Sequence, residues 1–240
     1  MALLVSACGF TEPRKLILVK ENCDIDGSFL ITSLIGQRLR VQSAGIVLVC
    51  CHQTMKYYDT CGKKLGYNLS ISVGKKSVEV VEALRDFTTL KGDDLPKKLF
   101  DEVCKKIKAL EGEGKKNITV IIDDLTFFTN LGCSEKDLIK ISMDLHNLAN
   151  QKDGISLMLK FGLSDMHTTL ANNIEDVADV TLTVERLKSG DFWDVDGKLI
   201  IKKVNNTGEF PVKESERCLL YFIGDHNVKL TAPGEFGLKV

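Results

Sequence analysis

Short apolar runs alternate with longer amphipathic segments over the first three quarters of this 240-residue chain. Such alternation predicts βαβ units around a mainly parallel sheet with helices on both faces. Runs rich in Ile, Val and Leu are expected where strands are covered on both sides. The predicted strands are 15–19, 45–51, 69–73, 117–123 and 155–161, and the predicted helices are 28–40, 55–65, 95–110, 134–151 and 168–178.

The pattern changes after Asp179, where β-rich segments at 180–187, 195–204, 218–223 and 228–230 are separated by turn residues. They predict antiparallel hairpins, and Asp196-Gly197 predicts a type I′ turn because such turns need positive φ. A second turn is expected at 224–227. We therefore predict one α/β domain over 1–240, with a βα core at about 15–178 and a hairpin extension of the same sheet at 179–240.

The first predicted strand leads into a polar turn and then a helix, which is the setting of a P-loop, G-x-x-x-x-G-K-[ST]. With Ser28 aligned to the hydroxyl of that motif, Glu21 and Asp26 take the two glycine positions and Gly27 takes the lysine position. A shift by one residue leaves the lysine position to Ser28 itself. Neither register supplies the lysine that neutralises the phosphates. The sequence predicts a nucleotide-binding fold whose phosphate chemistry is missing.

Asp26 offers a physical reason for that loss. A helix N-terminus binds phosphate through its N–H groups and its partial positive charge. An acidic side chain there uses the same donors and repels an incoming triphosphate. Our hypothesis is that Asp26 or Ser28 caps the helix and replaces the phosphate from within.

Asp123 and Asp124 follow an apolar strand, as the acids of a Walker B strand do. In that setting a carboxylate at the end of the strand holds Mg²⁺ through water. Strands also end in Asp for a structural reason, because its side chain caps the next turn or helix. The sequence leaves both roles open.

Other candidate residues are weaker signals. His52 and His167 follow predicted strands, so they are either at the ligand-binding edge of the sheet or ordinary loop histidines. No nucleophile motif is present, and the eight cysteines form no C-x-x-C or zinc-ligand spacing. We therefore expect reduced thiols, an intracellular protein, and no metal or cofactor. No apolar run approaches the roughly 20 residues of a membrane span.

Four short segments are distinctive when taken together, and their order and spacing run through nearly the whole chain. The segments are Asp26-Gly-Ser-Phe-Leu30, Gly62-Lys-Lys-Leu-Gly66, Ile121-Ile-Asp-Asp-Leu125 with Leu131-Gly132, and Asp194-Val-Asp-Gly-Lys-Leu199. Together they resemble the Elongator complex subunit 6 family. The resemblance implies a RecA-like ATPase fold that lacks the Walker motifs. It places the departure from the P-loop at residues 21–28 and the acidic strand end at Asp123 and Asp124.

The same resemblance implies a non-catalytic subunit with no catalytic residue of its own. It would alternate with Elongator subunits four and five in a six-membered ring, dock on the catalytic part of Elongator, and bind tRNA through the assembled ring. That machinery modifies the wobble uridine of certain tRNAs, in the cytoplasm and also in the nucleus. A net charge of −1 gives this chain no global basic field of its own for tRNA.

Two rival functions stay open at this stage. An active nucleotide-binding ATPase with an atypical phosphate loop requires a lysine or arginine from elsewhere and Asp123 on magnesium. A free-standing regulatory protein with the same fold requires a stable monomer.

Arg186 and Arg217 are candidates to complete the active site of a neighbouring subunit. Trp193, the one tryptophan, is a candidate for stacking on a base, for a subunit contact, or for internal packing.

Overall fold

The computed structural model describes residues 2–12, 14–22, 24–87, 94–164, 167–187, 194–205 and 213–234. Within them lies one nine-stranded sheet in the order β3-β2-β4-β5-β1-β6-β7-β8-β9. The strands are β1 (Leu16–Asn22), β2 (Ala44–Cys50), β3 (Val78–Glu82), β4 (Asn117–Ile122), β5 (Ile155–Leu163), β6 (Val180–Glu185), β7 (Gly197–Asn205), β8 (Lys213–Ile223) and β9 (Val228–Thr231).

Helices cover both faces of this sheet, and a 3-10 helix at Leu125–Leu131 follows β4. The helices are α1 (Ala2–Ala7), α2 (Ser28–Arg38), α3 (Met55–Lys64), α4 (Leu69–Gly74), α5 (Ala83–Phe87), α6 (Leu95–Gly112), α7 (Glu135–Gln151) and α8 (Thr168–Glu175). Helix α7 begins with a capping box, because Ser134 and Asp137 each bond the other's backbone N–H.

The predicted fold class is confirmed. Strands β1 to β6 pair in parallel, and β6 to β9 pair as antiparallel neighbours. Alternate residues of the central strands enter two separate hydrophobic clusters. In β1, Leu16 and Leu18 pack on the side of α5 to α8, whereas Ile17 and Val19 pack on the side of α1 and α2. The continuous apolar runs in the sequence thus reflect burial on both faces.

Two local predictions are wrong. The segment predicted as a strand at 69–73 is helix α4, because the Asn68 side chain accepts a hydrogen bond from Ile71 N at 2.8 Å and caps a helical turn. The strand of this region is β3, which begins at Val78, nine residues after Leu69. Asp196-Gly197 does not form a hairpin turn, since Gly197 begins β7 and pairs with Tyr221.

The close approach of the neighbouring strand β6, and not a turn, explains why a glycine is present at position 197. A Cβ at Gly197 would lie 2.5 Å from the carbonyl oxygen of Glu185, so a larger residue would push β7 away from its neighbour. The turn predicted at 224–227 is confirmed. Gly224 N donates to Asn227 O at 2.9 Å and joins β8 to β9.

Candidate functional site

The predicted phosphate-loop position lies between β1 and α2, at the edge of the sheet where the parallel strands end. Helix α2 begins at Ser28 with Gly27 as its N-cap. The N–H of Gly27 donates to Oε2 of Glu21 at 2.6 Å, within a buried contact. A carboxylate of the chain itself therefore occupies a donor at the helix N-terminus, where a phosphate-binding protein presents such donors to its ligand.

A buried lysine holds the other oxygen of that carboxylate. Lys160 lies on β5 beside Val19 of β1, its side chain is 0% exposed, and Nζ is 2.5 Å from Oε1 of Glu21. Burial raises the pKa of Glu21, while the Lys160 ammonium and the Gly27 N–H act in the opposite direction. The Glu21 carboxylate thus takes one N–H of the helix N-terminus and one lysine ammonium, the two kinds of donor that a P-loop offers to phosphate.

Sequence reasoning missed Lys160, although the signal was visible. The residue interrupts the apolar run Leu157-Met158-Leu159 before Phe161. Lysines are almost never fully buried unless they are paired. A lysine within a central strand therefore indicates a buried acidic partner.

Asp26, the residue before the N-cap Gly27, accepts the next N–H of the same helix. Its Oδ1 accepts the N–H of Ser28 at 2.8 Å and the Ser28 hydroxyl as well, and its Oδ2 lies 3.4 Å from Gln53 Nε2 and 3.5 Å from the Tyr57 hydroxyl. The hydrogen bond that the capping hypothesis requires is present for Asp26, and the replacement of a phosphate by this side chain stays a prediction. The capping hypothesis is wrong for Ser28, which is the first residue of α2 and a hydrogen-bond donor to Asp26.

Asp123 is fully buried and ties the end of β4 to the loop after β2. Its carboxylate accepts the N–H groups of Cys51, His52 and Gln53 at 2.5, 3.0 and 2.9 Å, and the Tyr58 hydroxyl at 3.0 Å. Burial raises the pKa of Asp123, and the three backbone donors oppose that shift. A metal ion at this carboxylate would have to displace bonds that already satisfy both oxygens.

Asp124 serves the next turn. Its Oδ1 accepts from Thr126 N at 2.9 Å and from the Thr126 hydroxyl at 2.5 Å, which caps the 3-10 helix. The sequence left magnesium binding and structural capping open for Asp123 and Asp124. The hydrogen bonds of both side chains are those of the structural role. Across the described ranges no group of three or more His, Cys, Asp or Glu side chains is arranged to hold a metal ion.

The remaining candidates are spread along the sheet. His52 and His167 lie at the carboxyl edge as predicted, and the backbone N–H of His52 is one of the Asp123 donors. Arg186 is exposed just beyond β6, whose Val184 pairs with Glu21. The exposed Arg217 lies on β8, away from that edge. Trp193 lies outside the described residues, so its three possible roles stay predictions.

The rest of the described chain adds two plain findings. The cysteines there are all thiols. No helix in those ranges has both the length and the apolar character required to cross a membrane.

Residues 2–225, which include the whole phosphate-loop position, match the sequence profile of a family described as Elongation complex protein 6. The chain belongs to this family. A curated relative, Elongator complex protein 6 of Drosophila melanogaster, is 34% identical over 246 aligned residues, which cover 98% of this chain and 97% of the relative. The resemblance predicted from four short segments is confirmed over nearly the full length.

Solved structures agree with the family on the fold. A KaiC-like protein of Pyrococcus horikoshii superposes with a TM-score of 0.64 at 11% identity, covering 92% of this chain and 94% of that one. A second Pyrococcus horikoshii protein, uncharacterised and crystallised with an unknown peptide, gives 0.67 at 12% identity with 92% of each chain covered. This member of the Elongation complex protein 6 family therefore has a RecA-like fold.

Proposed function

We propose that this Elongator subunit is a non-catalytic, structural member of a hetero-hexameric RecA-like ring. In this proposal it alternates with Elongator subunits four and five, and the ring docks on the catalytic Elongator subcomplex. The assembled ring binds tRNA and supports modification of the wobble uridine, in the cytoplasm and the nucleus. The chain itself carries no catalytic residue and needs no cofactor.

One observation carries the non-catalytic part of the proposal. The Glu21 carboxylate already takes the N–H of Gly27 and the ammonium of Lys160. A triphosphate at this position would have to displace a buried ion pair and would meet the charge of Asp26 as well. The donors that bind phosphate in an active RecA-type protein are thus used for the stability of this one.

The proposed ring requires particular contact surfaces on each subunit. Head-to-tail rings give each subunit two different contact surfaces. We propose that Arg186, at the carboxyl edge beside the filled phosphate position, contributes to one of them. Arg217 and Trp193 are further candidates for the same kind of contact.

The test is co-expression of the full chain with Elongator subunits four and five, with the mass of the purified product measured by light scattering. The expected product contains six chains, two of each kind. An Arg186→Ala variant is expected to shift the product toward smaller assemblies. The matched control is Arg85→Ala, another exposed arginine, which pairs with the adjacent Asp86. A monomer that ignores both partners would contradict the proposal.

A nucleotide-binding ATPase with an atypical phosphate loop is the second candidate. The observation that favours it is Lys160, because a lysine does reach the phosphate-loop position from another strand. The ammonium is already paired with Glu21, so this function requires the pair to open when nucleotide binds. Titration calorimetry of the full chain with Mg²⁺-ATP decides between the two.

A further inference from the structure

A cleft of about 280 Å³ opens at the opposite edge of the sheet, where the central parallel strands begin. It lies between the end of α2 and the first residues of β4 and β5. Its polar lining includes Arg14, Lys15, Arg38, Asn117, Thr119 and Ser156. Nothing in the function proposed above uses this cleft.

Arg38 is the unusual member of this lining. Its side chain is partly covered, and its Nε atom is buried and has no hydrogen-bond partner. No acceptor or acid in the described part of the chain pairs with its guanidinium. Burial correspondingly lowers the pKa of Arg38. Burying a cation without an anionic partner is unfavourable, so we expect an anion to bind beside Arg38.

The neighbouring cations have partners within the chain. Arg14 pairs with Glu12 and donates to the carbonyl oxygen of Val204 at 3.3 Å. The Nζ atom of Lys15 donates to the carbonyl oxygen of Ala149 at 2.7 Å. Arg38 differs from these two residues because its guanidinium has no partner among the described residues, whereas Arg14 and Lys15 each have at least one.

The charges of the lining indicate what that ligand is. Three cations, Arg14, Lys15 and Arg38, face one carboxylate, Glu12, which leaves an excess of two positive charges. A phosphate monoester carries about −1.5 to −2 at neutral pH, whereas a carboxylate carries only −1. A guanidinium also binds phosphate oxygens in a bidentate manner.

Hydroxyl groups complete the lining. Thr119 Oγ1 and Ser156 Oγ lie 2.9 Å apart in one hydrogen bond. Since each hydroxyl carries one proton and only one proton lies between them, the other proton is available to an oxyanion. We propose that this cleft is a binding site for a phosphate group, either inorganic phosphate or the phosphoryl group of a small phosphomonoester, with Arg38 as its principal ligand.

Equilibrium dialysis with radiolabelled inorganic phosphate tests the site on the full chain, alone or in the complex with which it purifies, at constant ionic strength set by chloride. The expected result is one phosphate per chain and an affinity at least about tenfold weaker in Arg38→Gln, because a charge-assisted bond is lost. The matched control is Arg40→Gln, an exposed arginine two residues away. Unchanged binding in Arg38→Gln, or no binding by the wild type, would overturn the proposal.

A second variant protects the test against misfolding of the first. Ser156→Asp places a carboxylate in the cleft and is expected to abolish phosphate binding; retention of binding would refute the site. Competition then identifies the ligand. Displacement by phenyl phosphate supports a phosphomonoester, whereas displacement by inorganic phosphate alone supports the free ion. If acetate at equal concentration displaces phosphate equally well, the assignment to a dianion is wrong.

Discussion

The ammonium of Lys160 on β5 and the carboxylate of Glu21 on β1 form a buried ion pair, with 2.5 Å between Nζ and Oε1, directly beneath the N-terminus of α2. The second carboxylate oxygen accepts the N–H of Gly27. The pair thus satisfies a helix terminus that would otherwise offer its donors to an anion. The same contact that completes the fold also closes the phosphate-loop position.

Removing the lysine alone should be costly. In Lys160→Met the Glu21 carboxylate stays buried without its cation, and we expect the free energy of unfolding to fall by about 3–5 kcal/mol. The double variant Glu21→Gln/Lys160→Met should lose clearly less, because no charge is left unpaired. Urea denaturation of the three proteins measures both values.

The control for that series is Lys105→Met, which removes an exposed partner of Glu102. Exposed pairs contribute only about 0–1 kcal/mol, so this change should be small. If Lys160→Met loses no more than Lys105→Met, the buried pair does not have the role assigned to it.

Restoring two residues of the P-loop should fail while Glu21 remains. In Asp26→Gly/Gly27→Lys, the new Cβ lies 3.0 Å from Oε2 of Glu21, which still accepts the backbone N–H of residue 27. Adding Glu21→Gly clears that carboxylate and releases Lys160. We expect Mg²⁺-ATP to stabilise only the triple variant, by about 2.7 kcal/mol at one hundred times its Kd. Thermal unfolding with and without nucleotide checks this, and a double variant that responds as strongly as the triple would show that Glu21 is not the obstacle.

Asp123 should act as a structural acceptor. In Asp123→Asn the amide offers one acceptor oxygen, and its NH₂ group faces N–H donors, so we expect a loss of about 3 kcal/mol in urea denaturation. Asp124→Asn, which weakens only a cap, should lose about 1 kcal/mol. Magnesium chloride should not change the melting temperature of the wild type. Stabilisation by magnesium that disappears in Asp123→Asn would instead establish a metal site.

The capping box of α7 makes a prediction about pH. The Ser134 hydroxyl and backbone N–H hold the pKa of Asp137 below its ordinary value of 3.8. A lowered pKa in the folded state means stabilisation that is present above the unfolded value and lost as the pH falls through the folded one. Asp137→Asn should therefore cost about 1 kcal/mol at neutral pH, and the difference from wild type should shrink as the pH falls below 3.8.

Denaturation at a series of pH values measures that difference. The control is Asp144→Asn, an exposed position further along the same helix, where little change is expected at neutral pH. A difference between Asp137→Asn and wild type that stays constant down to the lowest pH would contradict the assigned role.

The central βα units could be predicted from hydrophobic periodicity and turn residues, because the sequence of each strand or helix shows which of its own residues are buried. Strands β2 and β4 are apolar along nearly their whole length, so both of their faces must be buried. Such strands are typical of a parallel sheet with helices on both faces. Where short elements compete, the pattern is ambiguous. The run after Asn68 has strand-like residues, yet a single side-chain cap directs it into α4.

The candidate site was predictable only in part, for a physical reason. Asp26 acts within two residues of its own position, so its role could be inferred from the helix start. The partners Glu21 and Lys160 are 139 residues apart in sequence and meet only because β1 and β5 are neighbours in the sheet. Asp123 likewise finds its donors more than 60 residues away, in a loop whose approach depends on strand order.

Titration calorimetry of the full chain with Mg²⁺-ATP tests the central claim most directly, with the triple variant Glu21→Gly/Asp26→Gly/Gly27→Lys measured alongside the wild type. A filled phosphate position predicts no binding heat from the wild type at nucleotide concentrations up to about 1 mM, a limit equivalent to roughly −4 kcal/mol of binding free energy. Saturable wild-type binding that is lost when Lys160 is replaced by Met would contradict it, because the ion pair would then open for nucleotide and the chain would be a nucleotide-binding protein.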